Sequence, residues 1–222
     1  MTTKLPVLSL LETRLLGVLA EKQRTVPDTY PLTLNALVAG CNQKTSRDPI
    51  IEASESEVQA ALDNLKFLSL VMESSGGRVA RYAHNIERVL QIPSQSVALL
   101  ATLMLRGPQT LGELRINSER LHKFADISSV ESFLAELAGR EAGALVVELP
   151  RQPGARENRW AHLLSGAPAV EPPAAAASVQ AGDVTVGEIA ALKSNVAKLE
   201  GEVKDLRTLV GKLCQELGIS AG

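Results

Sequence analysis

The sequence predicts a mainly α-helical α+β protein with small β-hairpins, built as two tandem winged-helix domains, a linker and a C-terminal coiled-coil helix. Three observations lead there. The order helix, helix, helix, hairpin occurs twice, and a repeated supersecondary unit is much less expected by chance than a single one. A proline- and alanine-rich stretch follows. After it, large apolar residues return at alternating spacings of three and four.

The first repeat occupies residues 1–91. Ser9 followed by Glu12 is a capping-box pattern, and Leu11, Leu15, Leu16, Val18 and Leu19 then recur at helical spacing to about Lys22. Pro27 and Pro31 bracket a turn, and a second helix is expected from about Leu32 to Cys41. A polar connection, Asn42 to Pro49, leads to a third helix capped by Ser54 with Glu57, whose buried stripe is Val58, Ala61, Leu62 and Leu65. Leu70–Glu73 reads as a strand, Ser74-Ser75-Gly76-Gly77 as a turn and Arg78–Tyr82 as the return strand.

The second repeat occupies residues 92–165. Pro93-Ser94 opens a helix that Gly107-Pro108 ends. Thr110 caps the next, which passes through Leu111 and Leu114 toward Leu121. Ser128 with Glu131 reads as another capping box, followed by the stripe Val130, Phe133, Leu134 and Leu137. Leu145–Leu149 and Arg159–Leu163 are the strands, with a wing tip from Pro150 to Arg156.

Residues 166–185 form the linker, semi-rigid where prolines cluster. Over 186–218, Ile189, Val196, Val203, Val210 and Leu217 hold one heptad position and Leu192, Leu199, Leu206 and Leu213 the other. β-Branched residues at the first and leucine at the second favour a parallel dimer. Glu188 opposite Lys193 and Glu202 opposite Arg207 supply attractive pairing between chains. A helix folded back on its own domains is the competing expectation, because docking within one chain also uses an apolar stripe.

Composition narrows the function classes. Formal net charge is −2, with ten charges of each sign in residues 1–91, eight of each in 92–166, and five basic against seven acidic thereafter. A nucleic-acid partner therefore needs a local basic patch. No apolar run is long enough for a bilayer and Met1–Leu10 does not read as a signal peptide, so a cytoplasmic location and no membrane partner are expected. Cys41 and Cys214 read as ordinary thiols of a reducing compartment. His84, His122 and His162 stand apart from each other and from the cysteines, and no phosphate loop, nucleophile elbow or zinc-protease motif occurs. Neither enzyme activity nor a metal or cofactor is expected.

The candidate nucleic-acid contacts are Lys44 and Arg47 in the first connection, Arg78 and Arg81 in the first wing, and Arg151, Arg156 and Arg159 in the second. Asn42 and Gln43 extend the first cluster; helix capping explains them equally well. The third helices argue against groove reading. Glu55, Glu57 and Asp63 stand against Lys66 alone, and Glu131, Glu136 and Glu141 against Arg140 alone, which opposes close approach to phosphates. Gln59 and Asn64 remain as candidate base contacts.

The stretch from Glu21 to Leu37, EKQRTVPDTYPLTLNAL, and that from Cys41 to Pro49, CNQKTSRDP, resemble the YceH-like family of bacterial proteins over roughly residues 8–165. The resemblance implies tandem winged helices and a loose association with DNA or regulation, and it brings no catalytic or binding residues with it. Two functions are expected: a dimeric DNA-binding or transcription-associated regulator of modest sequence specificity, or a scaffold whose winged helices hold protein partners without DNA.

Overall fold

The computed structural model describes residues 6–74, 79–152 and 154–168. Chain contacts separate Met1–Glu171 from Pro172–Gly222, and everything described belongs to the first unit. The tail heptads from Ile189 to Leu217 and most of the linker lie outside the described residues.

The described residues form an α+β arrangement of seven helices and two antiparallel hairpins. In the first half these are α1 (Leu10–Thr25), a single 3-10 turn (Pro27–Thr29), α2 (Leu34–Cys41), α3 (Glu55–Phe67), β1 (Val71–Ser74), β2 (Arg81–His84) and α4 (Ile86–Leu90). The second half contains α5 (Ser94–Arg106), α6 (Leu111–Asn117), α7 (Ile127–Ala138), β3 (Val146–Glu148) and β4 (Trp160–His162). Local chemistry accounts for most of the boundaries. Ser9 with Glu12, Ser54 with Glu57 and Thr110 with Glu113 are reciprocal capping boxes, each satisfying two otherwise orphaned backbone donors. Thr33 caps α2, and Gly107, at φ 72°, ends α5.

α7 starts earlier than the Ser128–Glu131 pattern suggests. Asp126 is its cap, in extended conformation, and accepts from the Ser129 amide at 2.7 Å. A carboxylate is the stronger acceptor for helix N-terminal amides, so Ser128 falls inside the first turn. α4 is an element that periodicity missed. At five residues it shows too little of a helical repeat, though Ile86 and Leu90 are buried.

The two halves repeat in hydrogen-bond detail. Val71 pairs with His84 and Glu73 with Tyr82 in the first hairpin; Val146 pairs with His162 and Glu148 with Trp160 in the second. Each return strand also takes a third partner just before the second helix of its half. Leu32 exchanges two hydrogen bonds with Tyr82 (3.0 and 2.8 Å), and Gln109 exchanges two with Trp160 (3.0 and 2.7 Å). Thr33 and Thr110, the caps of α2 and α6, directly follow those residues.

Each repeat is expected to fold around its own core, but the buried side chains of both halves form one cluster. The cause lies in α1 and α5. Every residue from Glu12 to Ala20 and from Ser96 to Leu105 is buried, so these helices have no solvent face over that length. A helix buried all round must be covered on every side, and the two cover one another as well as their own halves. Gly17 makes the approach close: a Cβ there would lie 2.8 Å from Leu105 Cγ. The ends are tied too. The Leu8 amide donates to the Leu164 carbonyl at 2.8 Å, and the Arg140 guanidinium donates to the Leu90 carbonyl at 2.6 Å, across the two halves. The stripes read from the sequence lie in this core: Val58, Ala61, Leu62 and Leu65 on α3, and Val130, Leu134 and Leu137 on α7, with Phe133 half-buried edge-on to Phe124.

Candidate nucleic-acid interface

Not all of the basic residues singled out in the sequence face solvent. Arg47 is withdrawn from solvent, its side chain 0% exposed. Its guanidinium grips the Glu21 carboxylate with two bonds, Nη2 to Oε2 at 2.7 Å and Nη1 to Oε1 at 3.2 Å. It also donates to the carbonyls of Gly40 and Ser46 and to the Gln43 amide oxygen. Burial works to raise the Glu21 carboxyl, but the hydrogen bond and charge of Arg47, helped by Lys22, hold it below its usual range. A guanidinium whose donors are spent inside the fold has none left for a phosphate, so Arg47 leaves the candidate interface. Asn42 is likewise structural: its side chain both donates to and accepts from the Ala53 backbone at 2.8 Å, closing the connection between α2 and α3.

Lys44, in that connection, is exposed. In the first hairpin Arg81 is exposed but donates to the Pro31 carbonyl at 2.8 Å, and Arg78 lies outside the described residues. In the second hairpin Arg151, Arg156 and Arg159 are all exposed, and none forms an ion pair among the described residues. The pairing continues past β3, since the Leu149 amide donates to the Arg159 carbonyl at 2.7 Å. Arg159 therefore sits at the base of the loop that carries the other two. Arg81 and Arg159 hold equivalent places, each one residue before the aromatic of its return strand.

The third helices keep their acidic outer faces. Glu55, Glu57 and Asp63 are exposed on α3, and its single cation is occupied: Lys66 Nζ lies 2.9 Å from Asp63 and 2.7 Å from Glu73. Both candidate base readers are engaged, Gln59 donating to Asp63 at 3.1 Å and Asn64 to Glu12. On α7 Glu131 and Glu136 are exposed.

Sequence reasoning missed Arg14, which is fully buried. It donates to the Pro49 carbonyl at 2.6 Å and the Cys41 carbonyl at 3.4 Å, and its Nε has no partner among the described residues. Burial lowers its pKa, and the nearby Arg47 charge acts the same way. The available signal was a charge on an apolar stripe, three residues after Leu11 and four before Val18. Together Arg14 and Arg47 hold the Asn42–Pro49 connection from beneath. Cys41 beside them is buried, and burial pushes its thiol up to about 12 despite the two cations, so it is an inert thiol.

The family described as "Protein of unknown function, DUF480" matches residues 8–155. The chain belongs to this family. Among its relatives, a UPF0502 protein of Dechloromonas aromatica is 63% identical over 210 residues, covering 95% of this chain and 97% of the relative. UPF0502 proteins of Methylibium petroleiphilum and Burkholderia lata are each 60% identical, over 97% and 94% of this chain and 92% and 88% of their own lengths. The first of these alignments is longer than the 155 residues at which the family match ends, so the likeness extends into the linker and tail. Among the described residues no helix is long and apolar enough to cross a membrane.

Proposed function

We propose that this chain is a cytoplasmic regulator that acts by binding, not catalysis: a tandem winged-helix protein, dimeric through its tail, that holds duplex DNA by hairpin arginines with modest sequence specificity. The observation that carries the reading is the contrast between hairpins and helices. Arg151, Arg156 and Arg159 are exposed and unpaired among the described residues on the second hairpin, while α3 and α7 turn Glu55, Asp63, Glu131 and Glu136 outward. Phosphates must be approached before bases are read, and carboxylates oppose that approach. The winged-helix assignment is supported by the repeated helix, helix, helix, hairpin order with the extra Leu32 and Gln109 bridges. Dimerisation is supported by the heptads from Ile189 to Leu217.

The test is a salt titration of duplex binding by fluorescence anisotropy. Removing Arg151, Arg156 and Arg159 together (each to Ala) should weaken binding uniformly across sequences and lower the slope of log K against log salt by up to about 3, at roughly 0.9 for each phosphate contact. Gln59→Ala should change little. A larger loss from Gln59→Ala would mean conventional groove reading. The second reading, a protein-binding scaffold, is favoured by Phe67, 85% exposed at the end of α3, and Met72, 50% exposed on β1. Absence of DNA binding by the wild type at low salt would select it.

A further inference from the structure

The last turn of α5, the connection before α3 and the end of α6 line a small open cleft of about 50 Å³. Its rim carries two arginines, Arg106 and Arg120, neither of which has a carboxylate partner among the described residues. The one acid in its wall, Glu21, is already neutralised twice, by Arg47 at 2.7 Å and by Lys22 at 3.2 Å. The cleft is therefore electropositive within a chain whose halves are otherwise balanced in charge. A concave surface lined by one sign of charge raises the local concentration of anions.

The neutral groups add direction. Arg106 donates to the Ser46 hydroxyl oxygen at 2.8 Å, which leaves the Ser46 hydrogen free to donate to a ligand. Asn117 spends one amide hydrogen on Gln109, at 2.6 Å, and keeps the second. By contrast Thr25 and Thr102 donate inward, to the carbonyls of Glu21 and Ala98, and offer the cleft only lone pairs. Donors thus belong to the arginines, Ser46 and Asn117, and acceptors to the two threonines, with Leu105 and Leu121 as apolar wall. We propose that this cleft binds a small phosphate monoester, its phosphoryl group held by Arg106, Arg120 and Ser46 and its hydroxylated body facing Thr25 and Thr102. Guanidinium pairs with phosphate oxygens through two parallel hydrogen bonds, and a space of about 50 Å³ admits a group of only a few non-hydrogen atoms, the size of a phosphoryl group, with the rest of the ligand in the open mouth. Thr25, Glu21 and Ser46 come from the first half of the fold and Arg106, Asn117 and Arg120 from the second, so an occupant would bridge the halves. This site is separate from DNA binding by the hairpins.

The experiment uses the full chain, with inorganic phosphate and glycerol 3-phosphate as probes at constant ionic strength, replacing chloride. Binding is read from arginine side-chain Nε–H NMR shifts and from the melting temperature. Saturable binding is expected at millimolar concentration or tighter, with glycerol 3-phosphate the stronger. Arg120→Ala, at an exposed position, should weaken both probes by about tenfold, which corresponds to roughly 1.4 kcal/mol, without changing the melting temperature of the free protein. Arg88→Ala, on the exposed side of α4, should leave both unchanged. The proposal is overturned by linear, non-saturating shifts, by equal affinities for wild type and Arg120→Ala, or by equal losses from Arg120→Ala and Arg88→Ala. It is also overturned if duplex DNA displaces the probes and Arg120→Ala weakens DNA binding in proportion, for then the cleft is a seat for a backbone phosphate.

Discussion

His84 and His162 occupy the same place in the two hairpins, each paired across the ladder with a buried valine, Val71 and Val146. Both are held neutral. His84 Nε2 lies 2.8 Å from the Gln23 amide oxygen while Nδ1 accepts from the Ile86 amide at 3.4 Å, so a second proton would have to displace that amide. His162 Nδ1 is buried with no partner among the described residues. Burial brings each down to about 4 from the ordinary 6.5, with the Arg24 charge adding to the effect at His84.

Between pH 6.5 and about 4 the unfolded chain binds more protons than the folded one, so stability is full above 6.5 and lost as pH falls toward 4. The loss should approach about 3 kcal/mol for each histidine, because every tenfold drop in proton affinity on folding corresponds to roughly 1.4 kcal/mol. Carboxylates such as Glu21, whose pKa is lowered below 4.5, contribute their loss at lower pH. Urea unfolding of His84→Gln and His162→Gln across this window should therefore show a shallower pH dependence than wild type. Identical slopes would mean the imidazoles charge freely in the folded state.

Arg47 is expected to act on stability instead of DNA affinity. Removing one partner of a buried ion pair leaves the other charge uncompensated and costs about 3–5 kcal/mol. Arg47→Ala should lower stability by that order and release the Asn42–Pro49 connection. Glu21→Gln, which keeps a hydrogen-bond acceptor in place of the charge, should cost less. Chemical denaturation measures both. A stable Arg47→Ala protein with reduced duplex affinity would return Arg47 to the interface.

Arg47 also shows where the sequence was legible and where it was not. The capping boxes at Ser9 and Ser54, the Thr110 cap and the stripes through Leu62 and Leu134 depend on neighbours within a few residues, and local sequence patterns reveal them. Whether an arginine in a polar loop faces water depends on a carboxylate 26 residues away, Glu21, and no local pattern carries that. Arg151 and Arg156 are exposed because a hairpin tip has little around it, which a turn signal in the sequence already implies, and Arg159, at the base of that loop, is exposed beside the buried Trp160 as strand alternation predicts. The merging of the two cores was present in the chain, in Leu99-Leu100 and Leu103-Met104-Leu105, a run too apolar for a helix with a solvent face.

That shared core is expected to make the halves one thermodynamic unit. Leu62 and Leu134 are both 0% exposed, on α3 and α7, and belong to the same buried cluster. Leu62→Ala and Leu134→Ala should each cost about 2–5 kcal/mol and shift one common unfolding transition. Calorimetry that separated into two transitions, with only one moving in each variant, would show that the α1–α5 contact does not couple the halves.

The tail is expected to set the oligomeric state. Each core leucine replaced by aspartate puts an unpaired charge into the seam between two helices, an environment that disfavours it strongly. Leu199→Asp with Leu206→Asp should therefore convert a dimer into a monomer without altering the unfolding of the hairpin-bearing unit, which has its own core. The same double variant should weaken duplex binding by more than any single hairpin arginine does. Joining two binding surfaces makes the second contact intramolecular, and avidity of this kind is typically worth about 100-fold or more where the linker can span both sites. Light scattering at micromolar concentration decides the first part and anisotropy the second. A wild-type monomer would point to a tail folded back along its own chain. A dimer that survives both aspartates would place the interface on the folded unit, where exposed Phe67 and Met72 are the first positions to probe.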